Sequence, residues 1–199
     1  MSKSLRIKGL FLGKADNILI EKCKRGDTNS FEILVLKYQR RIFNLIFRLT
    51  NEPDIVEDIA QEVFLRAYNA INDFKGKSSF STWIYRITVN TCFNYIKSKR
   101  RHQYKNLETN EPLEKYTLIS NNLTDTELLI ERHELSKKIK EAIGSLNREQ
   151  RTIFVLRDVE GLSYEEIGKI LNCPSGTVRS RLFRARRELR TKLENYIKV

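Results

Sequence analysis

Cysteine and histidine are scarce in this chain. Its 199 residues include three cysteines and two histidines. Cys23, Cys92 and Cys173 are far apart and odd in number, which suits reduced thiols and excludes a disulfide framework. His102 and His133 have no Cys or His at metal-ligand spacing, so neither a metal nor a cofactor is expected. No apolar run approaches the roughly 18–20 residues of a membrane-spanning helix. The Leu10-Phe11-Leu12 patch is too brief for a signal-peptide core and is soon broken by Lys14 and Asp16. A cytoplasmic location is expected. Proline and glycine are also few, three and eight. Helical periodicity therefore runs almost uninterrupted, and no long alternating pattern argues for strands. The expected fold class is all-α.

Positive charge is abundant. Thirty-seven Lys and Arg against 25 Asp and Glu leave a formal net charge of +12. That excess favours a polyanionic partner: nucleic acid, or less often an anionic membrane surface. At 40% hydrophobic residues, the chain can still build a packed core.

The chain divides near residues 102–124, where Pro112, several Asn and no clean apolar stripe read as an interdomain linker. Charge shifts there too: Lys97, Lys99, Arg100 and Arg101 give way to Glu108, Glu111, Glu114 and further acids. The tether is either a solvated spacer or a segment with a specific role. The expected organisation is an unassigned extension 1–14, a helical unit 15–101, the linker 102–124 and a second helical unit 125–199.

Four helices are expected after Thr126. The first carries Leu135, Ile139, Ala142 and Leu146 on one face. Asn147, three residues before Gln150, opens a second helix through Val159, and Gly161 stops it. Ser163 and Glu166 form a capping-box pattern that opens the third, Tyr164 to Leu171. Asn172-Cys173-Pro174 ends it, and the fourth starts near Ser175. Two short helices joined by a tight turn make a helix-turn-helix, whose second helix normally enters the major groove. Val178, Leu182, Ala185 and Leu189 form its core face. The opposite face presents Gly176, Thr177, Ser180, Phe183, Arg184 and Arg187, flanked by Arg179, Arg186 and Arg190. Arginine forks suit guanine edges and phosphates, and Phe183 suits a thymine methyl or sugar. The plainer alternative is a solvated Arg-rich helix with Phe183 covered by a neighbour.

In the first unit, Pro53 should open a helix to about Ile71, with Val56, Ile59, Ala60, Val63, Ala67, Ala70 and Ile71 facing the core. Its other face holds Asp54, Glu57, Asp58, Gln61 and Glu62, with Leu65 and Tyr68 among them. An acidic stripe enclosing apolar residues suits a basic protein partner. On spacing alone, an ordinary exposed helix face is the simpler reading. A loop from Asn72 to Phe80 leads into a helix from Ser81 or Thr82 to about Lys99. That helix is apolar on more than one side and should be packed between neighbours. Its one polar stripe is Arg86, Asn90, Asn94 and Lys97, with Trp83 at the end. Cations, amides and aromatics together suit single-stranded bases. Stacking at roughly 1–3 kcal/mol per base is comparable to the few kcal/mol that flipping a base costs. In isolation, core packing is the stronger reading of Phe80 and Trp83.

Four runs in order resemble the sigma-70 family of RNA polymerase factors, extracytoplasmic-function (ECF) group. They are Gly26-Asp27 with Ser30-Phe31 and Tyr38; DIAQEVFLRAYNAI from Asp58; FSTWIYRITVNTCFNYIKSKRR from Phe80; and LSYEEIGKILNCPSGTVRSRLFRARREL from Leu162. The resemblance implies two small helical domains, sigma domain 2 and sigma domain 4, joined by a flexible linker. It implies a non-enzymatic promoter-specificity factor that binds core RNA polymerase, recognises −35 and −10 elements and promotes melting. By motif position, Asp58, Gln61, Glu62 and Phe64 would contact the clamp helices of the polymerase's largest subunit, and the second domain its flap. Trp83, Arg86, Asn90 and Lys97 would read the melted −10 element, Asn90 at the flipped-base position. Ser175, Thr177, Arg179, Ser180, Phe183, Arg184 and Arg187 would read duplex −35 DNA. The linker would thread the polymerase near its active site. An anti-sigma factor is a further implied partner.

Two rival readings compete. One is a plain helix-turn-helix regulator with an N-terminal sensor, which needs neither the acidic stripe nor the Trp83-to-Arg101 stripe. The other is a DNA-acting enzyme using Asp54, Glu57, Asp58 and Glu62 around a metal.

Overall fold

The computed structural model describes residues 16–106 and 138–197, and every regular element among them is helical. The extension 1–14, most of the linker and Leu135 lie outside the described residues. Helix α1 spans residues 16–24. Helix α2, Thr28–Thr50, is opened by Asp27, whose carboxylate accepts the N–H groups of Asn29 and Ser30. A 2.7 Å hydrogen bond from the Ser30 hydroxyl helps hold that carboxyl below its ordinary range. Asn51 closes α2 in the left-handed region at φ 59°. Leu34, Tyr38, Ile42, Leu45 and Leu49 run down one side of α2 at helical spacing and are buried.

Helix α3 is Val56–Asn69, not a helix opening at Pro53. Pro53 stands in the preceding turn, where its carbonyl accepts the Val56 N–H at 3.1 Å; its fixed φ suits a turn as well as a first helical turn. The core side of α3 is as expected: Val56, Ile59, Ala60, Val63 and Ala67 are buried. A single 3₁₀ turn, Ile71–Asp73, then tucks in Ile71 and Phe74.

Helix α4, Phe80–Asn106, starts slightly earlier than expected and runs into the segment assigned to the linker. Ser79 sets its start, its hydroxyl accepting the Thr82 N–H at 3.2 Å. Ile84, Tyr85, Thr88, Val89 and Cys92 are all buried, so α4 is indeed packed between neighbours. One of those neighbours comes from the other half of the chain.

In that second half, α5 covers described residues 138–145. Ala142 and Leu146 pack in a small cluster with Ala185 and Leu189, whereas Ile139 stays 38% exposed and leaves the expected core face. Helix α6, Arg148–Phe154, is capped by Asn147 as expected, with its side chain accepting the Gln150 N–H at 2.9 Å. It does not continue as α-helix to Val159. Residues Val155–Val159 widen into a π turn, a local bulge that re-aims side chains. Asp158 is left facing Arg186, and Glu160 facing Tyr85. Gly161, at φ 74°, makes the reversal that follows.

Helix α7, Tyr164–Leu171, begins with the complete Ser163–Glu166 capping box. Its close meets a tight steric limit. A Cβ on Gly168 would lie 2.8 Å from the Cys173 carbonyl, so only glycine lets the turn fold back this closely. Helix α8, Ser175–Ile197, follows, with the Pro174 carbonyl accepting its first helical N–H bonds.

The halves are not merely strung together. Helix α7 packs along α4, and one apolar cluster runs from Leu34 and Val63 through Ile84 and Val89 to Ile167 and Ile170. Polar bonds reinforce the seam. The Tyr85 hydroxyl donates to Glu160 at 2.8 Å, the Thr82 hydroxyl to Glu166 at 3.3 Å, and Arg148 stacks over the Phe93 ring at 4.5 Å. Arg151 bonds the Leu49 carbonyl at 3.0 Å and the Gly144 carbonyl. It thereby places one cation at the C-terminal ends of α2 and α5 together.

Candidate nucleic-acid and partner interfaces

Three surfaces collect the candidate residues. The first is a groove between α2 and α3. On α3, Asp58, Gln61 and Glu62 are exposed and Phe64 is half-buried, and of these four Gln61 and Phe64 line the groove. Gln61, Phe64, Leu65 and Tyr68 from α3 meet Phe31, Val35 and Phe43 from α2 around an apolar groove of about 430 Å³. Leu65 is 61% exposed at its lip. An apolar floor beside a line of carboxylates fits a basic, partly apolar helical partner. The α2 half of this groove was missed from sequence. The available signal was that Phe31, Val35 and Phe43 repeat near four-residue spacing beside the buried stripe, so α2 is apolar on more than one side.

The acids do not gather into a metal cage. No cluster of carboxylates, histidines or cysteines able to hold an ion occurs among the described residues. Glu62 pairs instead with Arg66 one turn on.

The second surface is the polar stripe of α4. Arg86, Asn90, Asn94 and Lys97 are exposed in a row on α4, the exposed residues between Phe80 and Lys97. Trp83 is half-buried at the end of that row. Its ring lies 5.2 Å from Phe74 and 5.5 Å from Phe80, centroid to centroid. Phe80 itself is a core residue at 2% exposure, so core packing was the right reading for it. Trp83 is part of that aromatic wall and only half-buried. Beneath the stripe, burial pushes the Cys92 thiol up to about 12, leaving an unreactive neutral side chain.

The third surface is the outer face of α8. Val178, Leu182, Ala185 and Leu189 are buried, as expected. Ser175, Arg179, Ser180, Phe183, Arg184 and Arg187 are exposed, and Thr177 is half-buried. Phe183 is 66% exposed, so no described element covers it. The arginines are not equivalent. Arg186 is fixed by a two-pronged bond to Asp158, which raises its pKa, and Arg181 pairs with Glu149 at 3.0 Å. Arg179 lies over the Tyr164 ring at 5.7 Å. Arg184 and Arg187 make no ion pair among the described residues and remain available to phosphate or base edges.

Known proteins resemble this arrangement over most of its length. Family models described as "Sigma-70 region 2" and "Sigma-70, region 4" match residues 34–102 and 136–189. The RNA polymerase sigma-H factor of Pseudomonas aeruginosa is 40% identical over 86% of this chain and 90% of its own. The ECF RNA polymerase sigma-E factor of Escherichia coli K12 is 37% identical over 92% of this chain and 96% of its own. Among solved structures, the sigma factor RpoE of Bartonella quintana, in complex with the anti-sigma factor NepR, aligns with a TM-score of 0.70. It shares 22% identity and covers 86% of this chain and 100% of that one. CnrH, in complex with the cytosolic domain of CnrY, aligns at 0.65, with 22% identity and coverage of 91% and 98%. These two share the fold.

Proposed function

The chain belongs to the ECF group of the sigma-70 family, as a promoter-specificity factor for RNA polymerase, and we propose that its three surfaces divide that work. The α2–α3 groove takes the clamp helices of the largest subunit, through Asp58, Gln61, Glu62 and Phe64. The α4 stripe takes the melted −10 element, with Asn90 reading a flipped base between Arg86 and Lys97 and Trp83 offering a ring edge for stacking. The outer face of α8 enters the −35 major groove. Phe183 and Arg184 meet base edges there, Ser175 offers helix N-terminal N–H groups to phosphate, and Thr177, Arg179, Ser180 and Arg187 hold the flanks. The second domain also engages the polymerase flap.

The domains in this reading are 15–101 and 125–199, with 102–124 as the tether through the polymerase. The chain performs no covalent chemistry of its own and works in the cytoplasm. No described helix is long and apolar enough to cross a membrane. An anti-sigma factor is a fitting partner, since both solved neighbours are complexes with one or with a partner's cytosolic domain.

The observation that carries the division is the sign change between surfaces. The same helix, α3, that lines the apolar groove with Gln61, Phe64, Leu65 and Tyr68 exposes Glu57, Asp58 and Glu62 nearby in sequence, while Arg184 and Arg187, without an ion pair among the described residues, crown the helix-turn-helix. One face repels DNA and the other attracts it. A competition assay for core polymerase tests it. Wild-type protein should displace the housekeeping sigma factor. Leu65→Glu should weaken that displacement tenfold or more, the ~2 kcal/mol scale of an interface hot spot. A plain helix-turn-helix regulator would not compete at all.

A further inference from the structure

We propose that residues 1–15 dock on the chain's own α2, crossing its outer face into the α2–α3 groove, and so compete with the polymerase for that groove. The competition rests on the sigma reading; the docking does not.

Helix α2 exposes more apolar surface than the groove accounts for. Ile33 and Leu36 are half or more exposed. Neither lines the groove, whose α2 wall is Phe31, Val35, Gln39 and Phe43. At roughly 100° per residue, Lys37, Ile33, Leu36 and Phe43 follow one another round the helix. This band begins where the described chain begins. Asp16 is buried, and its carboxylate accepts Lys37 and the Tyr38 hydroxyl, the latter at 2.6 Å. The chain before Asp16 therefore departs from the Lys37 side of α2, at the foot of the apolar band.

The composition of that segment fits the band and the groove. Leu5, Ile7, Leu10, Phe11 and Leu12 are apolar, Lys3, Arg6, Lys8 and Lys14 are cationic, and no acid precedes Asp16. Opposite them stand Glu32, Glu57 and Asp58, exposed carboxylates with no ion pair among the described residues. Glu32 lies one turn before Val35 on α2, and Glu57 one turn before Gln61 on α3. The Phe31 and Tyr68 rings meet at 5.0 Å, which puts Glu32 at that end of the groove and Glu57 at the other.

Reach is sufficient. A segment of this length spans up to about 50 Å. Half the girth of α2 is about 15–20 Å, and the groove from Phe31 to Phe43 is about 18 Å long. Leu10-Phe11-Leu12 then fall beside Ile33 and Leu36. Leu5 and Ile7 reach the groove, with Arg6 and Lys8 alternating toward its carboxylates. A segment tethered this closely acts at an effective concentration of order millimolar, so even weak docking occludes the groove. Apparent polymerase affinity falls by the fraction left open.

Photo-crosslinking of the full chain tests the docking. A benzophenone side chain introduced at Phe11 should form adducts at Ile33 and Leu36, and one at Ile7 should form them at Val35, Phe43 and Leu65. Mixed light and isotopically heavy chains should show each adduct within one chain. Arg6→Glu with Lys8→Glu should cut the yield from position 7 several-fold, and adding Glu32→Lys and Glu57→Lys should restore it. Core polymerase should abolish it. In competition with the housekeeping sigma factor, Ile7→Ser with Phe11→Ser should tighten apparent polymerase affinity several-fold. Adducts on α8, adducts joining two chains, or yields indifferent to charge reversal would overturn the docking. Unchanged polymerase affinity in the double serine variant would overturn the competition. A chain that binds no polymerase at all would count against the sigma reading, while the adduct positions still decide the docking.

Discussion

Helices α4 and α8 are both long and basic, yet they are built to opposite plans. Helix α4 is enclosed by α2, α3 and α7, and between Phe80 and Lys97 its exposed residues are Arg86, Asn90, Asn94 and Lys97. Helix α8 buries one stripe against α6 and α7 and leaves a broad flank open. A major groove about 12 Å wide accepts a whole helix, which suits α8. It cannot accept a helix sheathed on three sides. What α4 can offer is a row of single side chains against an aromatic wall, which suits bases already out of the duplex. The contrast teaches that enclosure, more than charge, separates a duplex reader from a single-strand reader.

The largest expected effect uses the same residue type on the two plans. Phe80 is 2% exposed and Phe183 is 66% exposed. Phe80→Ala should cost about 3–5 kcal/mol of stability by chemical denaturation, the range for a truncated core aromatic. Phe183→Ala should leave stability within about 0.5 kcal/mol while weakening the upstream element. Equal destabilisation by both would erase the comparison. Next in size, Arg184→Ala should lower discrimination among upstream sequences by about 1–3 kcal/mol in competition binding. Unchanged discrimination would reduce Arg184 to a phosphate contact.

How much of this was legible beforehand depended on the kind of interaction. Short-range chemistry read well. The Ser163–Glu166 box, the Asn147 cap and the buried face of α8 all follow from neighbours in sequence. Pro53 misled because its fixed φ suits both a turn and a first helical turn. The π turn at Val155 carries no local signature, and the partners Arg186 and Tyr85 that Asp158 and Glu160 meet are distant in sequence. The α4–α7 seam was invisible for the same reason. The second apolar side of α4 announced a neighbour but not which one. For Trp83 and Phe80, periodicity gave burial and the motif gave DNA; Phe80 lies in the core, and Trp83 is half-buried against Phe74 and Phe80.

Smaller effects refine the contrast. Asn90→Ala should reduce −10 selectivity by about 1 kcal/mol, the scale of one hydrogen bond, and leave polymerase affinity unchanged. Loss of both together would make Asn90 structural. The smallest effect serves as a control remote from both helices. Asp27 has a folded-state pKa below its ordinary value. Its contribution is present at neutral pH and is lost as pH falls through that lowered value. Asp27→Ser should keep the cap, leave stability at pH 7 nearly unchanged and flatten its decline in acid, with no change in either DNA readout. An acid limb as steep as wild type would show that other carboxyls dominate it.

The most direct measurement is transcription by bare core polymerase supplied with this protein and a library of promoter fragments. RNA chains should start at a defined distance downstream of paired upstream and −10 motifs, and only when the protein is present. No initiation from any template, with the protein folded and the polymerase active with its housekeeping factor, would contradict the account.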